Sequence, residues 1–175
     1  MMLEDTKGKS YINIGCGTVR FEDCINMDIA QNPLVDLDVV GSVLAIPFGK
    51  EVFKGVIFSH VLEHLFKREH AKALSEIRRV LKPEGTVYIE VPDFNLAVEY
   101  FLENRKGRRD YWYMCVYGRE DYESDVHKSG ITEQYLTDLL FDCGFTKLKW
   151  ADIDKEEAIL AVIATKAEEM PKGRL

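Results

Sequence analysis

The chain has 175 residues, of which 46% are hydrophobic, with a formal net charge of −7 and a sequence pI near 5.2. That length and apolar fraction suit one folded domain spanning residues 1–175 and exclude a disordered polyelectrolyte. The acidic balance excludes a general nucleic-acid surface, no apolar run is long enough to cross a bilayer, and the four scattered cysteines lack zinc-site or dithiol spacing. Free thiols and a polar N-terminus without an apolar leader core give the expectation of a soluble cytoplasmic protein with no membrane partner.

In chain order, residues 11–14 read as a short buried strand running into Gly15, and residues 24–27 as a second that ends at Asp28. Residues 35–39 alternate as a third. An apolar run over 52–58 ends at Ser59, after which Val61, Leu62, Leu65, Leu74, Ile77 and Leu81 recur at helical spacing until Pro83. Residues 86–91 form the next strand, and Asp93 can cap a helix with Leu96, Tyr100 and Phe101 on its apolar face, ended by Gly107. The aromatic, charged stretch 110–125 shows no clear period and reads as an ordered insertion or lid within about 107–130. Thr132 caps a further helix whose stripe is Leu136, Leu139 and Leu140, with Ile131 stapling onto Leu136. Residues 145–153 and 158–165 are two strands joined by an acidic turn short enough for an antiparallel hairpin. The fold class is α/β: a doubly wound, mostly parallel sheet that finishes with one reversed strand.

Gly15-Cys16-Gly17 follows a strand directly, so the backbone there can approach a ligand closely because no Cβ intervenes. Asp28 ends the next strand, where a carboxylate can accept both hydroxyl hydrogens of a ribose. A tight turn and a surface aspartate is the plain alternative. Five segments extend the pattern: Asn13-Ile14-Gly15-Cys16-Gly17-Thr18, Asp28, Leu44-Ala45-Ile46-Pro47-Phe48, Ser59-His60-Val61-Leu62-Glu63-His64-Leu65, and Arg79-Val80-Leu81-Lys82-Pro83-Glu84-Gly85-Thr86. In that order they resemble the successive motifs of the class I methyltransferases that use S-adenosylmethionine (SAM), across almost the whole chain. The resemblance implies a seven-stranded Rossmann-like sheet with the reversed hairpin at its end and SAM as cofactor. It implies that Asn13, Gly15, Cys16 and Gly17 form the turn against the methionine part of SAM, that Asp28 holds the ribose, and that Ser59 and His60 line the cofactor near its methyl group. Ser42 stands where many relatives carry an aspartate for the adenine amino group.

Relatives place a helix in each of the first two strand connections, but residues 16–23 and 29–34 are too short for one, so helices are reduced on one face. The aromatic insertion, or a second subunit in a homodimer, is expected to cover that face. Arg20 in the shortened loop is a candidate partner for the SAM carboxylate, or else a solvated arginine. His60 and His64 lie four apart, but no third ligand with suitable spacing accompanies them, so no metal is expected and His64 reads as structural, with Glu63 a solvated or capping acid. The group Asp125-Val126-His127-Lys128-Ser129 resembles a segment of small methyltransferases, some associated with glycans. His127 is there a candidate base for an acceptor hydroxyl, or a residue that anchors the insertion. The basic run Arg105-Lys106-Gly107-Arg108-Arg109 reads as a helix C-terminus rather than a phosphate patch. The expected activity is methyl transfer to a small molecule or saccharide at oxygen; a SAM-binding partner subunit without catalysis is the alternative.

Overall fold

The computed structural model describes residues 6, 8–31, 36–121, 125–151 and 155–169. Seven strands form one sheet: β1 Tyr11–Ile14, β2 Cys24–Asp28, β3 Val39–Val40, β4 Phe53–Ser59, β5 Leu81–Pro92, β6 Phe145–Trp150 and β7 Ile159–Lys166. Their order is β3-β2-β1-β4-β5-β7-β6. β1 to β5 pair in parallel, and β7 runs antiparallel to both β5 and β6. The reversed terminal hairpin expected from the sequence is therefore present. The third strand is reduced to Val39–Val40, and Val35 and the hairpin residues 152–154 lie outside the described residues.

Among the described residues, four α-helices accompany the sheet: α1 Lys67–Val80, α2 Phe94–Glu103, α3 Arg109–Tyr117 and α4 Glu133–Asp142. The buried stripe of α1, His70, Ala73, Leu74, Ile77 and Val80, faces the sheet, and β5 presents Val87, Ile89 and Val91 by strict alternation. Leu136 and Leu140 of α4 join the same core as Phe58, Val162 and Ile131. Asp93 Oδ1 accepts the N–H groups of Asn95 and Leu96 at 3.0 and 3.3 Å, and Thr132 Oγ1 accepts Tyr135 N–H at 3.2 Å, so both expected caps form.

Two stretches differ from the sequence expectation. The pattern that begins at Val61 predicts one continuous helix, but the chain makes a 3-10 turn at Leu62–His64, extends through Leu65 and Phe66, and starts α1 at Lys67. Glu69 sets that start by accepting Phe66 N–H on its carboxylate at 2.9 Å. The aromatic stretch is helical as α3 and packs on α2 rather than over β1 to β3. Trp112 is fully buried there, in a cluster with Ala97, Tyr100 and Ala158, and its Nε1–H donates to Arg105 O at 3.0 Å. With Trp112 its one buried side chain, α3 leaves no period to read. The basic run serves the same packing, with Arg105 stacked over Tyr100 at 4.1 Å and Arg108 over Tyr111 at 4.0 Å.

No helix occupies residues 15–23, and that short link itself covers β2 on the face opposite α1. Ile12, Ile14, Ile25 and Met27 point into the core, so Asn13 and Asn26, partners in the parallel register, point the other way. Asn26 accepts Phe21 N–H at 3.0 Å and donates to Phe21 O at 2.9 Å and to Cys24 O at 3.1 Å. Asn13 donates to Val19 O at 3.0 Å. Two buried asparagines thus hold a loop where related sheets bury an apolar helix, because a loop's backbone groups need partners that aliphatic side chains lack.

Candidate functional site

Both halves of the site sit at the C-terminal ends of the parallel strands. Gly15 N–H and Cys16 N–H share Met27 O at 2.8 and 3.2 Å, which folds the turn after β1 against the end of β2. Gly17 N–H then donates to Asp28 Oδ2 at 2.7 Å, and Ile29 N–H to Asp28 Oδ1 at 2.6 Å. Each carboxylate oxygen accepts one backbone bond and keeps a lone pair for another donor. At Gly15, with φ +67, a Cβ would lie 2.3 Å from Val61 Cγ2, so only glycine lets the tail of β4 close on this turn; Gly17 opens onto space. Gly41 N–H donates to Asp28 O at 2.8 Å and brings Ser42 to the same edge, where its Oγ accepts Leu44 N–H at 3.2 Å.

The second half begins where β4 ends. His60 adopts φ +53, and its N–H donates to Glu90 O at 2.8 Å. Its ring lies between two carboxylates, Nδ1 3.2 Å from Glu63 Oε1 and Nε2 3.1 Å from Glu90 Oε1. The hydrogen bond to Glu63, reinforced by both negative charges against partial burial, raises its pKa above the ordinary histidine value. Glu90 also accepts Ser59 Oγ–H at 3.1 Å and the Tyr88 hydroxyl.

His127 reaches the same place from far along the chain. Its N–H donates to Tyr117 O at 2.9 Å, while Lys128 N–H and Ser129 N–H donate to Glu63 O at 2.8 and 3.1 Å. Gly118 is required for that approach, since a Cβ there would lie 1.9 Å from Asp125 O. Burial lowers the pKa of His127 and favours the neutral imidazole. His60, Glu63, His64, Tyr111, Cys115 and His127 are among the residues that border a cavity of about 310 Å³.

Residues 12–89 match the family described as a methyltransferase domain. That segment is similar to the methyltransferase-domain family, and the sheet is that of the Rossmann-like methyltransferase fold. An uncharacterized protein of Methanocaldococcus jannaschii is 31% identical over 99 residues, 50% of this chain, and the match spans 43% of that protein's length. Among solved structures, a SAM-dependent methyltransferase from Methanosarcina mazei superposes with a TM-score of 0.64 at 17% identity, covering 91% of this chain and 92% of that one. A 1,6-didemethyltoxoflavin-N1-methyltransferase of Burkholderia thailandensis, solved with 1,6-didemethyltoxoflavin and S-adenosylhomocysteine, superposes at 0.60 with 16% identity, covering 93% and 73%. Among the described residues of this chain, no helix is long and apolar enough to cross a membrane.

Within the methyltransferase fold, Gly15, Gly17 and Asp28 meet at the ends of β1 and β2, and Ser59, His60 and His127 stand on the other side of the site. The structure places the other candidates as follows. Asn13 is buried on the loop and on Asn26, so it shapes the turn without facing a ligand. Arg20 lies 3.5 Å from Asp36 and 3.8 Å from Asp38, which pairs its guanidinium with the residues leading into β3. The Cys16 thiol is buried and pushed up to about 11, so it packs as a neutral group. His60 and His64 share no helix face, because the backbone turns sharply at His60; His64 instead stacks edge-on to His127 with ring centroids 4.8 Å apart. Glu63 is 2% exposed rather than solvated. Glu63 and Glu90 were the residues a sequence reading undervalued; the legible signal was an acid set between two histidines, and an acid at the end of an otherwise apolar strand.

Proposed function

We propose that the chain transfers the methyl group of SAM to an oxygen of a small-molecule or saccharide acceptor. The carrying observation is the 2.7 Å bond from Gly17 N–H to Asp28 Oδ2, which joins a Cβ-free turn to a carboxylate at the strand ends. These residues fit SAM: the glycine turn leaves room for the methionine part, and the spare lone pairs of Asp28 suit two ribose hydroxyls. Ser42 takes the adenine side. Bound there, SAM supplies an electrophilic methyl group on a sulfonium and leaves as S-adenosylhomocysteine.

The protein's own contribution is alignment and removal of water, since in-line displacement needs little covalent help. His60, fixed between Glu63 and Glu90, shapes the wall between the two halves of the site, and neutral His127 acts on the acceptor hydroxyl. Tyr11 and Ile163, exposed on the face opposite α1, are the surface through which we propose a second copy pairs.

The test is incubation of purified protein with methyl-labelled SAM and fractionated metabolite and glycan pools. Label should appear in an acceptor as an ether or ester methyl. SAM binding without transfer to any pool would instead support a non-catalytic partner subunit.

A further inference from the structure

His64 precedes α1 and His127 follows α3, yet the fold binds their two segments together through Lys128 N–H and Ser129 N–H on Glu63 O. A ligand nitrogen from each histidine and a carboxylate oxygen of Glu63 all lie within 4.8 Å of one another. Among the described residues, Glu63 Oε2 is buried with no hydrogen-bond partner, although its Oε1 is held by His60. A buried carboxylate oxygen left unpaired is costly, and a cation is the group that best satisfies it. His64 Nδ1 lies 3.2 Å from Val126 O, which fixes that nitrogen as the donor and leaves Nε2 as the ligand. The His127 ring lies beside that of His64, with ring centroids 4.8 Å apart. A backbone carbonyl behind an imidazole, as Val126 O stands behind His64, is the arrangement that orients metal-binding histidines.

We propose that Glu63, His64 and His127 bind a divalent transition-metal ion at the wall of the acceptor cavity, with its remaining coordination positions open to that cavity. Two imidazoles and a carboxylate are a donor set for zinc or iron(II) rather than for magnesium or calcium. Metal bonds of roughly 2.0–2.2 Å would draw the ligand atoms to about 3–3.5 Å from one another, a small closure from their present separation. The sequence argued against a metal because no third ligand stood near His60 and His64. The fold supplies one in His127 and discards His60. The inference deepens the acceptor-side reading above: His127 acts on the acceptor through the ion rather than as a free base, and the acceptor class is one that offers an oxygen ligand, a hydroxyl whose pKa the ion lowers.

The experiment uses the full chain, stripped with a chelator and titrated with Co2+, the absorption bands of which report coordination directly, followed by displacement with Zn2+. Visible bands should saturate at one equivalent and vanish as zinc enters. His127→Ala should weaken binding on the order of 100-fold, more than loss of an outer-shell partner does. Glu63→Gln, close in shape and chosen because it preserves packing, should weaken it by a similar factor while circular dichroism stays unchanged. A spectrum that remains that of aqueous cobalt, or bands unaltered in both variants, overturns the site. Calorimetry of SAM on the same metal-free protein separates the two readings: SAM binding without a cobalt site refutes the metal alone, and a cobalt site without SAM binding refutes the cofactor assignment alone.

Discussion

The two faces of the sheet over β1 and β2 are held by different forces. On one face Ile12, Ile14, Ile25 and Met27 join Phe58, Leu74 and Leu136 in a dry core under α1 and α4. On the other, Asn13 and Asn26 hold a short link through backbone hydrogen bonds. A helix brings its own satisfied backbone and asks only for apolar contact; a loop brings unpaired N–H and C=O groups and needs side chains that pair them. Exchanging one for the other changes which residue types the strands must carry.

That contrast can be broken from either side. Phe58→Ala on the core face should lower stability most, by about 3–5 kcal/mol, through lost burial and a cavity, read by denaturant unfolding. Asn26→Ala removes the loop's partners and should cost about 1–3 kcal/mol. Hydrogen exchange should then rise first at Phe21 and its neighbours, whereas Phe58→Ala should raise it throughout the core. Exchange rising equally everywhere in Asn26→Ala would contradict a local role. Ile163→Lys, 43% exposed on the face opposite α1, should change folding stability by less than about 0.5 kcal/mol. It should dissociate a dimer in sedimentation analysis, and an intact dimer would remove that face as the pairing surface.

Where a local signal determines structure, the sequence was legible. The run 86–91 marked β5, Asp93 and Thr132 marked two helix starts, and the acidic turn marked the terminal reversal. Gly15, Gly17 and Asp28 were legible for the same reason, since each needs its residue type at its own position. What stayed hidden depends on contacts distant in the chain. α3 is held by Trp112 in a pocket shared with Tyr100 and Ala158, which leaves no period of its own. Glu63 reads as a surface acid until His127 is brought beside it by Lys128 and Ser129. Arg20 looked available for a ligand because its partners, Asp36 and Asp38, belong to the next connection.

The account stands on the turn after β1 and the carboxylate ending β2 binding one adenosyl ligand together. Isothermal calorimetry of SAM with the native chain and with Asp28→Ala tests this most directly. Loss of charge-assisted hydrogen bonds to a ribose should weaken binding by about 10–100-fold, with the thermal unfolding of the free proteins closely matched. Equal affinity in the two proteins, or no binding by the native chain, would contradict it.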